Sequence, residues 1–214
     1  MITPFFQGFG TGGGLIIAIG AQNAFVLSQS VRGNYYLLIA SICIVCDAVF
    51  ITAGVAGFGA FVSSSRLLSQ LATWGGAGFL LFYGWGSFRS AVRGGSLDSS
   101  QEAVPGLKKV ILATLFVTLL NPHFYLDTVV LLGSVSSRFQ KESRFFFWAG
   151  AVCASTLWFF ALSFGGRMLA PLFQKQVSWR ILDSLVCATM WMIAGSLIMH
   201  GISEYPIPRF HRLP

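Results

Sequence analysis

The stretch LLNPHFYLD, residues 119–127, sets an asparagine, a proline, a histidine and an aspartate into a run that is apolar on both sides. An ionisable side chain at the centre of a bilayer costs about 3 kcal/mol or more, so it persists there mainly where it faces a bundle interior or a wet cavity and serves a pathway. Pro122 has no N–H and disfavours helix in the residue before it, so the stretch reads as a helix break that frees backbone carbonyls. At membrane depth such carbonyls are tolerated only when buried in protein or lining a cavity.

Composition supports a membrane setting. Of 214 residues, 55% are hydrophobic and 10% charged, and the mean hydropathy is +0.72; soluble domains carry roughly 25% charged residues. Gly 24 and Phe 21 are both high, and small residues let helices approach closely in lipid. The net charge of +7 arises from few acids. Its Lys and Arg are scattered between apolar runs, which argues against a nucleic-acid partner. Cys43, Cys46, Cys153 and Cys187 all lie in apolar runs. No His or second pair accompanies Cys43-x-x-Cys46, so packing is the reading, with no metal and no cofactor expected. The opening MITPFFQGFG lacks a basic n-region, so the first helix is expected to stay in the mature protein.

Six stretches approach the roughly 20 apolar residues that a span requires: 5–28, 37–62, 71–92, 110–133, 145–166 and 181–201. Lys and Arg fall eight against six on the two sides. Arg32, Arg89, Arg93, Lys108, Lys109, Arg167, Lys175 and Arg180 share the richer side. The positive-inside rule puts that side in the cytoplasm and both termini outside.

The halves of the chain read as distant copies. Gln22-Asn23 interrupts the first span and Asn121-Pro122 the fourth; Asp47 precedes Gly57 by ten residues as Ser155 precedes Gly165. An odd number of spans per copy makes the second enter from the opposite side. The expected fold is therefore an all-α integral membrane protein with six transmembrane helices as two inverted three-helix repeats. The first repeat covers 1–92, a connecting loop 93–109, the second repeat 110–202 and a tail 203–214. Secondary transporters are commonly built this way, with the substrate site near the midplane where helices break.

Only Asp47 and Asp127 lie well inside predicted spans; Asp183 sits near a helix end, and Asp98, Glu102, Glu142 and Glu204 in loops or the tail. A buried carboxylate balanced between desolvation and a nearby cation can trade a proton for a cationic cargo. It can equally tie helices together, and for Asp127 the two readings weigh evenly. Asn23 and Asn121 occupy matching places and can each donate and accept; Gln22 is a weaker partner. His123 stands four residues before Asp127 and is a candidate relay, although a lone histidine is more often a structural hydrogen-bonder. Trp158 in midspan is a candidate cation–π contact. The literal G-x-G-x-x-G in GFGTGGG, residues 8–14, lacks the strand a nucleotide fingerprint requires and reads as close helix packing. Glycine-rich helix faces also make a homodimer plausible. No nucleophile and base stand at recognisable spacing, so an enzyme is not expected.

GAQNAFVL at 20–27, CD at 46–47, WGGAGFLLFYG at 74–84, LNPHFYLD at 120–127 and ASTLWFF at 154–160 together resemble the LysE family of bacterial amino-acid exporters, most closely its lysine- and arginine-exporting (LysE/ArgO-type) branch. The likeness runs over roughly residues 5 to 202. It implies a multi-pass protein of the bacterial inner membrane that exports L-arginine or L-lysine, driven by the membrane potential or by proton exchange. Carried over by position, its motif residues here are Gln22, Asn23, Asp47, Asn121, Pro122 and Asp127. The family usually has proline after the glycine of the first motif; Ala21 stands here, which implies a softer first break. Moving a cation out of a negative interior climbs about 2.3 kcal/mol per charge per 100 mV, so proton antiport through Asp47 is expected. The rival readings are export of neutral amino acids or another small cation, and, in a different class, an uncoupled channel or a membrane assembly factor.

Overall fold

A computed structural model describes residues 2–17, 20–58, 66–93, 106–171 and 176–204, which are helical apart from short turns. Residues 18–19 of the first break, most of the 93–109 loop, Gly59 and nearly all of the tail lie outside the described residues. The helices are α1 (Ile2–Ile17), α2 (Ala21–Arg32), α3 (Tyr36–Val55), α4 (Arg66–Arg93), α5 (Leu107–Leu119), α6 (Pro122–Tyr125), α7 (Leu132–Ser136), α8 (Lys141–Leu169) and α9 (Gln176–Glu204). Between α6 and α7 the chain runs as a π-helix over Leu126–Leu131.

The polarity of the helices is turned inside out. On α3 the outward residues are Val45 and Val49, whereas Asp47 is 2% exposed. On α8, Leu157 and Met168 face outward while Ser155 and Ser163 are fully buried; on α9, Leu185, Met192 and Met199 face outward while Asp183 is buried. Such a surface suits hydrocarbon. By length and apolarity α3, α8 and Arg180–Ser203 of α9 can each cross a membrane, and the bent pairs α1–α2 and α5 with His123–Ser136 bring the total to five among the described residues. The 28-residue α4 is not among them. Its sequence is rich in Gly, Ser, Trp and Tyr, which weigh little in hydropathy yet suit helix contacts and interfaces.

Two helix pairs dominate the packing, α1 with α8 and α4 with α9. Around them, α8 also holds α2, and α3 holds α5, the π-helix and α7. Each broken helix is thus braced by a long helix from the other half of the chain. Glycine allows the closest approaches: a Cβ at Gly8 would lie 1.9 Å from the Phe147 carbonyl oxygen, and one at Gly150 2.0 Å from that of Phe5. Likewise a Cβ at Gly54 of α3 would sit 2.6 Å from the Thr128 oxygen, and one at Gly133 2.6 Å from the Gly54 oxygen. Much of the glycine that suggested a homodimer is therefore used inside the chain.

These contacts yield a stability test. Gly8→Ala and Gly150→Ala force apart backbones that no rotamer can relieve, at a cost of about 1–3 kcal/mol each. Gly10→Ala, where an added methyl meets nothing within 4 Å, costs nothing and raises stability by up to about 1 kcal/mol through helix propensity. Thermal unfolding of the detergent-solubilised protein should separate the two classes.

Candidate functional site

The two breaks are built differently and solved alike. At the second, α5 ends at Leu119, and Asn121 Oδ1 accepts the His123 N–H at 3.1 Å. This is the N-cap arrangement, with Pro122 at the first helical position where a missing N–H is harmless. The Leu119 carbonyl, left without its helical partner, accepts the Tyr125 hydroxyl at 2.7 Å. At the first break Gly20 is the N-cap of α2 with no side-chain cap, and Asn23 Nδ2 donates to the Ile16 carbonyl at 2.8 Å. In each break a side chain from the outgoing helix caps a carbonyl near the end of the incoming one, six or seven residues back. Ala21 does not soften the first bend, which is 75° against 67° for the second. Gly20 is in extended backbone there, φ −125° and ψ 177°, so the first bend needs neither proline nor a left-handed residue.

Between the breaks lies a cavity of about 330 Å³. It is lined by Leu15, Ile16, Gly20, Gln22, Asn23, Asp47, Asn121, His123, Phe124, Asp127, Thr128, Ile193 and Ser196. The structure thus brings Gln22, Asn23, Asp47, Asn121, His123 and Asp127 together, although they are scattered over a hundred residues of sequence.

Asp47 sits on the buried face of α3, where Ser155 Oγ donates to its Oδ2 at 2.6 Å. The positions matched between the two halves of the sequence are in direct contact. Gln22 Nε2 donates to Thr118 Oγ1 at 3.2 Å, tying the start of α2 to the end of α5. Trp158 Nε1 donates to Asn23 Oδ1 at 3.2 Å; Trp158 stands behind Asn23 and is not among the residues lining the cavity. His123 is exposed at the rim and Asp127 is half-buried in the π-helix. A π-helix adds a residue to the turn and is frequent at functional sites; here it turns Asp127 into the cavity wall. Among the described residues no cluster of His, Cys, Asp and Glu is placed to hold a metal ion, and the four cysteines are free.

Three contributors carry more than the sequence alone assigns them. Ser155 was noted only as a repeat-matched position, although a serine opposite an intramembrane aspartate is a ready donor. Tyr125, by sequence a weaker polar candidate than Gln22, reaches back to the Leu119 carbonyl. Asp183, placed near a helix end by the sequence, is 2% exposed and forms the only ion pair among the described residues, with Arg32 at the end of α2.

The family described as LysE type translocator matches residues 14–201, most of the chain and all of the cavity. The chain belongs to that family. Among its relatives are proteins named arginine exporter protein ArgO. The one from Serratia proteamaculans (strain 568) is 43% identical over 204 residues, covering 95% of this chain and 100% of the relative. That of Salmonella typhimurium is 42% identical over 205 residues, covering 95% and 97%. That of Yersinia enterocolitica is 42% identical over 207 residues, covering 95% and 100%. No solved structure matches the chain. With such relatives and with long apolar helices, this LysE-family protein is a multi-pass protein of the bacterial inner membrane.

The capping bonds can be tested apart from any activity. Tyr125→Phe removes the only hydroxyl that reaches the Leu119 carbonyl. An orphaned buried carbonyl costs about 1–3 kcal/mol, so a fall in the unfolding temperature is expected, with Tyr36→Phe as a control for losing a hydroxyl elsewhere.

Proposed function

We propose that this LysE-family protein exports L-arginine, and L-lysine with it, from the cytoplasm in exchange for protons. The observation that carries the reading is a small cavity at two helix breaks holding two carboxylates, Asp47 and Asp127. At about 330 Å³ it lies near the lower end of the roughly 300–1,000 Å³ typical of ligand pockets, enough for one small solute. Relatives that cover nearly the whole chain and are named arginine exporters give the cargo its identity.

In this reading Asp47 is shared. With a proton it is neutral and releases cargo; without one it holds the cationic group, while Ser155 fixes the orientation of one oxygen. Exchange of one proton for one cationic amino acid moves no net charge, which removes the cost of carrying a cation out against a negative interior. Asp127 is the second carboxylate, with His123 at the rim to pass protons to it. Asn23, Asn121 and Gln22 offer amides to the α-amino and α-carboxylate groups common to all amino acids. Trp158 holds Asn23 in place and offers a ring face to a cation. Pro122 keeps the second break open.

The architecture that goes with this reading is six spans in two inverted three-helix repeats, with α4 as the third span. Its support is the reciprocal bracing of the broken helices and the meeting of the matched residues Asp47 and Ser155. The Arg32 end is taken as cytoplasmic. A homodimer would draw on Gly78, Gly86 and Gly195, where an added Cβ meets nothing within 4 Å.

The test is efflux of radiolabelled arginine from preloaded cells. Asp47→Asn, close in shape but unable to cycle a proton, reduces efflux to that of cells lacking the protein, and lysine competes where threonine and leucine do not. Efflux that survives the substitution would remove Asp47 from the coupling site; competition by threonine would move the cargo to the neutral amino acids.

A further inference from the structure

The ion pair at the end of α2 serves neither the breaks nor the cavity. Arg32 Nη2 pairs with Asp183 Oδ1, and Ser90 Oγ donates to Asp183 Oδ2 at 2.6 Å. One carboxylate on α9 thereby gathers a guanidinium from α2 and a hydroxyl from α4. From Asn23 in the cavity wall to Arg32 is nine residues of helix, roughly 13 Å. The space between is filled by Phe25 against Tyr83, with ring centroids 5.4 Å apart, and by Val186 and Met190, both buried. The pair therefore stands over an apolar plug at the end of the bundle away from the cavity. The Asp183 side chain is 3% exposed and the Arg32 side chain 26%, so solvent reaches the guanidinium but barely the acid.

Resting on the arginine-export reading above, we propose that Asp183 with Ser90 is an entry site for a guanidinium, occupied by Arg32 while the pathway is closed. The tethered group and the cargo carry the same planar cation, so a free arginine can take the carboxylate on equal chemical terms and release α2. Freed from Asp183, the far end of α2 keeps only its packing on neighbouring helices and the neutral Gln29 Nε2–Tyr83 hydroxyl bond at 3.0 Å, and because Phe25 lies on α2 a shift of that end draws Phe25 out of the plug. The occupant opens its own door, and a lysine, whose compact, strongly hydrated ammonium differs from the planar cation that Arg32 places there, does so less well.

The experiment uses the full chain in membrane vesicles of both orientations, with the native cysteines replaced and a single reporter, Val186→Cys, in the plug. A membrane-impermeant maleimide is applied from the Arg32 side. With the pair intact labelling is slow, and millimolar arginine speeds it by roughly tenfold, lysine by less. In Arg32→Gln labelling is fast without arginine. In Asp183→Asn it is fast and no longer responds to arginine. Ser90→Ala, the mildest change, keeps the arginine response at a higher concentration. Labelling that ignores arginine in the intact protein, or that still answers to arginine in Asp183→Asn, overturns the proposal. Should Asp183→Asn fail to fold, the intact protein and Ser90→Ala still decide it. The label reports opening and not transport, so an absence of arginine efflux in the wild type would refute the export reading without touching this result.

Discussion

A hydrocarbon interior offers no water to an unpaired backbone group, and that constraint governs both breaks. Opening a helix at membrane depth exposes carbonyls that cost several kcal/mol each if left alone. The Ile16 and Leu119 oxygens are answered by Asn23 and Tyr125. Once capped, the broken ends need not be covered by packing, and room remains between them for a cavity. Asn23 then has a double role, because its Nδ2 serves the backbone while its Oδ1 accepts from Trp158. Rigidity at the break and the polarity of the cavity come from the same side chain.

The second determinant is how closely long helices approach the broken ones. Gly76 of α4 illustrates it: a Cβ there would lie 1.9 Å from the Leu120 oxygen, a carbonyl inside the second break. The WGGAG stretch thus meets the break as bare backbone. Likewise Gly54 lies against Thr128 and Val129 of the π-helix, which fixes how far α3 carries Asp47 from Asp127. Where the two carboxylates stand is therefore decided by glycines that never touch the cavity.

Much of this was legible in the sequence, and the unread part has physical reasons. Pro122 announces a break because its ring and missing N–H act locally, and intramembrane aspartates stand out against apolar neighbours. The matched spacing of Asp47 and Ser155 gave their equivalence, but their 2.6 Å bond depends on how α3 and α8 face one another, which spacing does not contain. The first bend could not be graded from Ala21, because an N-cap in ordinary extended backbone turns the chain with no covalent signature. The π-helix at Leu126–Leu131 has no such signature either. The burial of Asp183 near a helix end is likewise not in the sequence, because it depends on α2 and α4 closing over it.

The two ends of the bundle are not held alike. At the α2 end an ion pair and a hydroxyl join three helices through one carboxylate. Beyond α7, in the first turn of α8, Arg144 donates to the Phe139 and Ser137 carbonyls of the preceding loop and binds no other helix through these bonds. A neutral carbonyl holds a guanidinium more weakly than a carboxylate does, and a local cap does not restrain neighbouring helices. The two ends thus carry unequal closures. At the Arg144 end Trp148 Nε1 donates to Thr52 Oγ1 at 2.8 Å, so α8 and α3 are joined there by a neutral bond, which a shift of either helix breaks at less cost than the charged pair.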